Sequence, residues 1–138
     1  MTDAWWTTDR PWVHDLTSHS ACRPTHVNEP EASVVLELDG AAMQTYDGLF
    51  QQFADKLRFP AYFGRNWPAL QDCLNDLTWI PPAKHYLITI NQWPKVLTEY
   101  PADRQVLCRI LNDTGETWAR LGHDPDSGPV SFNTLLLG

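Results

Sequence analysis

The stretch "YFGRNWPALQDCLNDL", residues 62 to 77, holds the side chains most able to do chemistry. Asn66 is a good helix cap, its side-chain oxygen placed to accept from first-turn amides. Pro68 follows where its missing N–H costs no intrahelical bond, so a helix should begin at Trp67 or Pro68. At 100° per residue, Leu70, Cys73, Leu74 and Leu77 gather on one arc, the core face. Pro68, Gln71, Asp72 and Asn75 gather on the other, with Ala69 and Asp76 at its border. A carboxylate held on a rigid helix suits one task above others: accepting charge-assisted hydrogen bonds from a guanidinium or ammonium group. Just ahead of it lie Tyr62, Phe63 and Gly64. Aromatics beside carboxylates are a recipe for an interface, in which rings anchor and polar groups orient. A plainer reading lets Tyr62 and Phe63 cap the core and leaves the aspartates as a solvated face. Spacing alone favours the plainer one. Gly64 allows a positive φ or close approach of another backbone.

Two other chemistries have candidates. Cys73 as a nucleophile with His85 or another histidine as base would make an enzyme, but Cys73 falls among leucines, where a thiol is usually an inert small hydrophobe. His14, His19, Cys22 and His26 are metal-ligand types set close together, yet their spacing is not that of a known zinc motif. The sequence therefore points to no enzyme activity, no metal and no cofactor.

The chain has 138 residues, which fits one domain and one core. Hydrophobic residues form 43% and aromatics 12%, including seven tryptophans, enough to fold without covalent staples. The formal charge of −7 argues against direct nucleic-acid binding, which depends on Lys and Arg neutralising phosphates; a basic partner fits better. Three cysteines cannot all pair within one chain, and no export-like segment opens it. Together these lead us to expect a cytoplasmic protein with free thiols. No apolar run nears the roughly 20 residues that span a bilayer.

The elements that must position these residues can be read in turn. Residues 1–30 mix tryptophans with Pro, Ser, Thr and His and read as an extension; Trp12 and Val13 suit a short added strand, or the tryptophans an apron on the core. Residues 31–138 read as the domain proper. "SVVLEL" from Ser33 is a β-branched strand, apolar enough to be expected buried on both faces, ending at Asp39-Gly40. Tyr46, Leu49, Phe50, Phe53 and Leu57 form one stripe on a helix over about Thr45 to Leu57. "HYLITIN", 85–91, is a second strand suited to helices on both sides. "WPKVLTEY" reads as a short helix, and a longer one between Pro101 and Gly122 carries Val106, Leu107, Ile110, Leu111, Thr114, Trp118 and Leu121. "PVSFNTLLL" is the last strand. Strands alternating with helices indicate parallel pairing and right-handed crossovers. The expected fold is α/β, a three-stranded parallel sheet flanked by about four helices.

The order "P-x-YFG-x-NW-x-AL-x-DCL", from Pro60 to Leu74, resembles the signature of the barstar family, small cytoplasmic inhibitors of secreted guanyl-specific ribonucleases such as barnase. The organisation from Ser33 to Leu137 follows the same order of elements, and residues 1–30 have no counterpart in the family core. The resemblance implies an inhibitory surface running from Tyr62 to Asp76, plus an acidic side chain from the last long helix. Tyr62, Phe63, Gly64 and Asn66 match the loop contacts. Asp72 matches the aspartate that enters the ribonuclease active site where a substrate phosphate would stand. Asp113 is the match for the acid of the last helix. The partner implied is a basic extracellular ribonuclease in a 1:1 complex, with the free inhibitor a monomer.

The chain also departs from the family pattern. Pro68 stands where the family often has another aspartate, and Gln71 where its namesake has an aromatic. With Asn75 and Asp76 they complete the expected partner-binding set. The departures keep open an alternative, an immunity or regulatory protein binding a different basic toxin or nuclease through the same surface.

Overall fold

Branched and apolar residues without helical spacing form the sheet. In the computed structural model, which describes residues 5–17 and 30–138, strands β2 (Ser33–Asp39), β3 (His85–Asn91) and β4 (Ser131–Leu137) each run seven residues. A further strand, β1 (Val13–Leu16), comes from the N-terminal extension. The sheet order is β1-β4-β3-β2, with every pair parallel. The expected three-stranded sheet is thus four-stranded. "VHDL" is too short and too polar to show a strand period, and its place is fixed by pairing: Val13 stands opposite Thr134, and the Thr134 amide donates to the Trp12 carbonyl at 2.8 Å.

Three α-helices, α1 (Tyr46–Leu57), α2 (Trp67–Asp76) and α3 (Arg104–Leu121), cover the sheet. The spacing that predicted α1 buries Leu49, Phe50, Phe53 and Leu57, and Thr45 caps it by accepting from the Gly48 amide. Gly122 ends α3 at φ +59, where a side chain would be strained and a methyl would stand 2.0 Å from the Gly128 carbonyl oxygen. The expected fourth helix over "WPKVLTEY" reduces to a 3-10 turn, Trp93–Lys95. Gln92 and Leu97 take positive φ on either side, and Val96 is extended, so the backbone turns Val96 and Leu97 into the core instead of continuing a helix. Arg104 satisfies the carbonyls this exposes, donating from Nε to Val96 at 2.6 Å and from a terminal nitrogen to Pro94 at 2.7 Å.

Among the described residues the three α-helices lie on one face of the sheet, not both. Tyr86, Ile88, Ile90, Phe132 and Leu136 point into the main core with the helices, while Leu87, Leu135 and Leu137 point the other way and are covered by Trp6, with Trp5, Leu16 and Val35 at the margin. The tryptophan apron and the added strand, alternatives in the sequence, are both present. β2 is an edge strand, and of its seven residues only Leu38 is fully buried, contrary to the expectation of burial on both faces.

The extension is seated on α3 by close packing. A methyl at Gly115 would lie 2.3 Å from Trp12 Cβ and 2.9 Å from the Phe132 carbonyl oxygen. The Trp12 amide donates to Asn112 Oδ1 at 3.1 Å. Gly115→Val should therefore force Trp12 off the helix and lower unfolding stability by about 1–3 kcal/mol, seen as a lower urea midpoint with the helix content retained.

Candidate partner-binding surface

The loop and helix around Asp72 are built from residues that hold the backbone and residues left pointing outward. Asn66 caps α2 as expected, accepting from the Ala69 amide at 2.8 Å, and its own amide donates to the Gly64 carbonyl at 3.3 Å. Gly64 does not take positive φ; its neighbour Arg65 does, at +52°. The Arg65 guanidinium holds that turn to α1, donating to Gln51 Oε1 at 3.0 Å and to the Asp47 carbonyl at 3.2 Å. Sequence reasoning passed over Arg65 because an arginine in a polar loop has no periodic or capping signature.

Beneath the loop runs a chain of ring contacts. Trp79 meets Phe59, Phe59 meets Phe63 at 4.8 Å, and Phe63 meets Phe50. Phe50 meets Trp67 at 5.3 Å, Trp67 meets Tyr46, and Tyr46 meets Tyr100 at 5.1 Å. Phe63 is therefore half-buried against the core, whereas Tyr62 is 73% exposed. The chain is locked at one end by Trp79 Nε1 donating to the Leu57 carbonyl at 2.9 Å. Near the other end Tyr46 donates its hydroxyl to Asp103 Oδ2, and the loss of that bond to a carboxylate on ionisation pushes the Tyr46 pKa up to about 12.

The helix is pinned as firmly as the loop. Gln71 Nε2 donates to Thr114 Oγ1 at 3.2 Å, and Trp118 Nε1 donates to the Leu74 carbonyl at 2.9 Å. These two bonds lie about one turn apart on both helices and bolt α2 to α3. Gln71 is accordingly half-buried at the seam, not wholly presented to solvent. The next residue, Asp72, is exposed, and its carboxylate has no hydrogen-bond or ion-pair partner among the described residues. Pro68, Asn75 and Asp76 are exposed on the same helix, and Asp113, beside Thr114 on α3, is exposed as well.

The thiol and imidazole of the candidate nucleophile pair are not brought together. Cys73 is 4% exposed, and burial, followed by the Asp72 and Asp76 carboxylates, raises its thiol pKa, the reverse of an activated nucleophile. His85 lies on the opposite face of the sheet, bonded through Nδ1 to Ser131 Oγ at 2.7 Å and edge-on to Trp6. Burial, then Lys84, lowers its pKa. His14 bonds through Nε2 to Asn133 Oδ1 at 3.0 Å; His19, Cys22 and His26 lie outside the described residues.

The residue order that carried the sequence resemblance thus builds a capped helix with an exposed carboxylate beside an aromatic loop. A family model described as Barstar (barnase inhibitor) matches residues 33–127. The chain belongs to the barstar family. No curated protein matches it. The family match covers the whole of the loop, α2 and α3, and leaves out β1 and β4. The barstar family is one of inhibitors.

Two measurements check this construction. Asn66→Ala should cost about 1 kcal/mol of stability through the lost cap, read from the urea midpoint. The Tyr46 pKa is raised on folding, so the stability it contributes is fully present below the ordinary tyrosine value of about 10 and is lost as pH climbs through about 12. Between those limits the unfolding midpoint should fall more steeply in the native protein than in Tyr46→Phe, and one tyrosine should ionise late in an alkaline absorbance titration.

Proposed function

We propose that this protein inhibits a secreted, guanyl-specific ribonuclease by placing the Asp72 carboxylate in the enzyme's phosphate-binding cleft. The observation that carries this reading is Asp72 itself, an exposed carboxylate without an internal partner on a helix held to α3 by two side-chain hydrogen bonds. A nuclease must gather cationic side chains around an anionic phosphate in a partly desolvated site. A carboxylate fixed beforehand can take the phosphate's place with little loss of conformational freedom on docking. The formal charge of −7 favours approach to a basic enzyme and makes association fast and salt-sensitive. Tyr62, Gly64, Pro68, Asn75, Asp76 and Asp113 would border the contact, while Phe63, Asn66 and Gln71 support it from within. The complex would be 1:1, formed by an inhibitor that is a monomer when free and guards the cytoplasm of the cell secreting the ribonuclease. Inhibition is steric and electrostatic, with no chemistry by the inhibitor.

One observation favours a second reading. Pro68 brings no charge, and Gln71 is tied to Thr114, so two positions that contribute contacts elsewhere in the family contribute little here. That difference suits a different basic toxin or nuclease engaged through the same surface.

Inhibition assays against a guanyl-specific ribonuclease and an unrelated basic DNase separate the two. Each hydrogen bond to a charged group contributes about 1.5–3 kcal/mol, so loss of two at Asp72→Ala should weaken inhibition at least about 100-fold, while the thermal midpoint stays within a degree or two. Equal loss of fold and inhibition in Asp72→Ala would make that carboxylate structural and end the proposal.

A further inference from the structure

The partner-binding face proposed above is short of aromatic anchors, and the structure points to where another is found. Protein interfaces of ordinary size bury roughly 800 Å² on each side and draw most of their affinity from a few well-held aromatic or arginine side chains. Among the candidate residues here, Phe63 faces the core, Asn66 caps its helix and Gln71 is bonded to Thr114. Tyr62 is the one aromatic of that set left fully outward.

Among the described residues only three large hydrophobic side chains are exposed: Tyr62 at 73%, Tyr100 at 51% and Leu121 at 56%. One of them, Tyr100, belongs to the aromatic chain, and a second, Tyr62, is joined to it in sequence. Tyr62 adjoins Phe63, and Tyr100 closes the far end, two ring contacts from Trp67, the first residue of α2. Tyr100 is not a loose surface side chain. Its ring lies 5.1 Å from that of Tyr46 at an interplanar angle of 31°, and Tyr46 is itself fixed by its hydroxyl on Asp103. An exposed aromatic ring held in advance loses little rotamer freedom on binding, which is what an anchor needs.

We infer that Tyr100 is a second anchor of the partner-binding face, extending it past the N-terminus of α2 onto the turn that leads into α3. The inference rests on the proposed inhibitor function. Glu99, exposed and next in sequence, gives the turn a negative charge beside the open ring. The feature of the partner it fits is an arginine or lysine on the rim of the nuclease cleft, stacked on the ring and drawn by the carboxylate. This cation lies outside the phosphate site that Asp72 would fill, so the turn acts on which nuclease is bound, and Asp72 on whether catalysis is blocked.

The test uses the full chain and a guanyl-specific ribonuclease that it inhibits. Tyrosine nitration by tetranitromethane, mapped by peptide mass, should modify Tyr62 and Tyr100 in the free inhibitor and spare both in the complex. Tyr100→Ala should weaken binding about tenfold, mainly through faster dissociation, and Tyr100→Phe less than threefold, since the face of the ring makes the contact. Nitration of Tyr100 at its free rate while Tyr62 is protected would overturn the inference, as would Tyr100→Ala binding within twofold of the native protein. If neither tyrosine is protected and Asp72→Ala binds as the native protein does, it is the proposed docking through the Asp72 face that has failed. Because the nitration arm uses unaltered protein, it decides the matter even if Tyr100→Ala loosens the Tyr46 contact.

Discussion

Two side-chain hydrogen bonds between α2 and α3 set what the rest of the molecule can present. Gln71 to Thr114 and Trp118 to the Leu74 carbonyl lie about a turn apart, so together they fix both the distance and the rotation of α2. A helix of ten residues has little stability of its own and owes its form to packing on one face. With Leu70 and Leu74 in the core and Gln71 bonded at the seam, rotation is no longer free, and Asp72 has one direction in which to point. The Trp118 bond is buried, so leaving either group unmatched would carry the full desolvation cost. That makes the pairing of these helices a feature of the fold and not of the partner.

The aromatic chain does for the loop what those bonds do for the helix. From Trp79 to Tyr100 it passes under the loop and around the start of α2, drawing rings from α1, the loop, α2 and the turns after α2 and before α3. Edge-to-face contacts of this kind each add about 0.5–1.5 kcal/mol beyond the area they bury. Their geometric effect matters more here. A loop whose Phe63 and Trp67 are gripped from below can leave Tyr62 and Gly64 outward without becoming mobile, and Arg65 completes the clamp from the side of α1.

Much of this was legible because it follows local rules. The cap at Asn66, the early Pro68, the apolar stripe of α1 and the stop at Gly122 are each properties of a few adjacent residues, and α2 begins and α3 ends where those rules put them. What escaped notice depends on partners far away in the chain. β1 has four residues and becomes a strand only because β4 offers an edge to pair with. "WPKVLTEY" has helical composition, but Val96 and Leu97 are more useful buried than helical. Gln71 looks from its angle on the wheel like a surface residue, and it is Thr114, 43 positions later, that draws it inward. The placement of all helices on one side of the sheet was illegible for the same reason, since the apolar run of β3 reads alike whether its second face meets helices or Trp6.

The extension bears on the candidate surface in a way its position at the sheet's other edge conceals. Trp12 grips α3 at Asn112 through its backbone amide and at Gly115 through its ring stem. Between those two points lie Asp113 and Thr114, the exposed acid and the residue to which Gln71 is bonded. A tightly packed side chain on one flank of α3 therefore backs the same turn that holds α2 on the other. Glycine at 115 is what permits the approach, because any larger residue would put its Cβ inside the tryptophan. Interiors packed to this density transmit displacement instead of absorbing it. The residues outside the family match are thus mechanically continuous with the loop and helix inside it, and what they supply is a fixed support for α3 at the turn where its acid emerges.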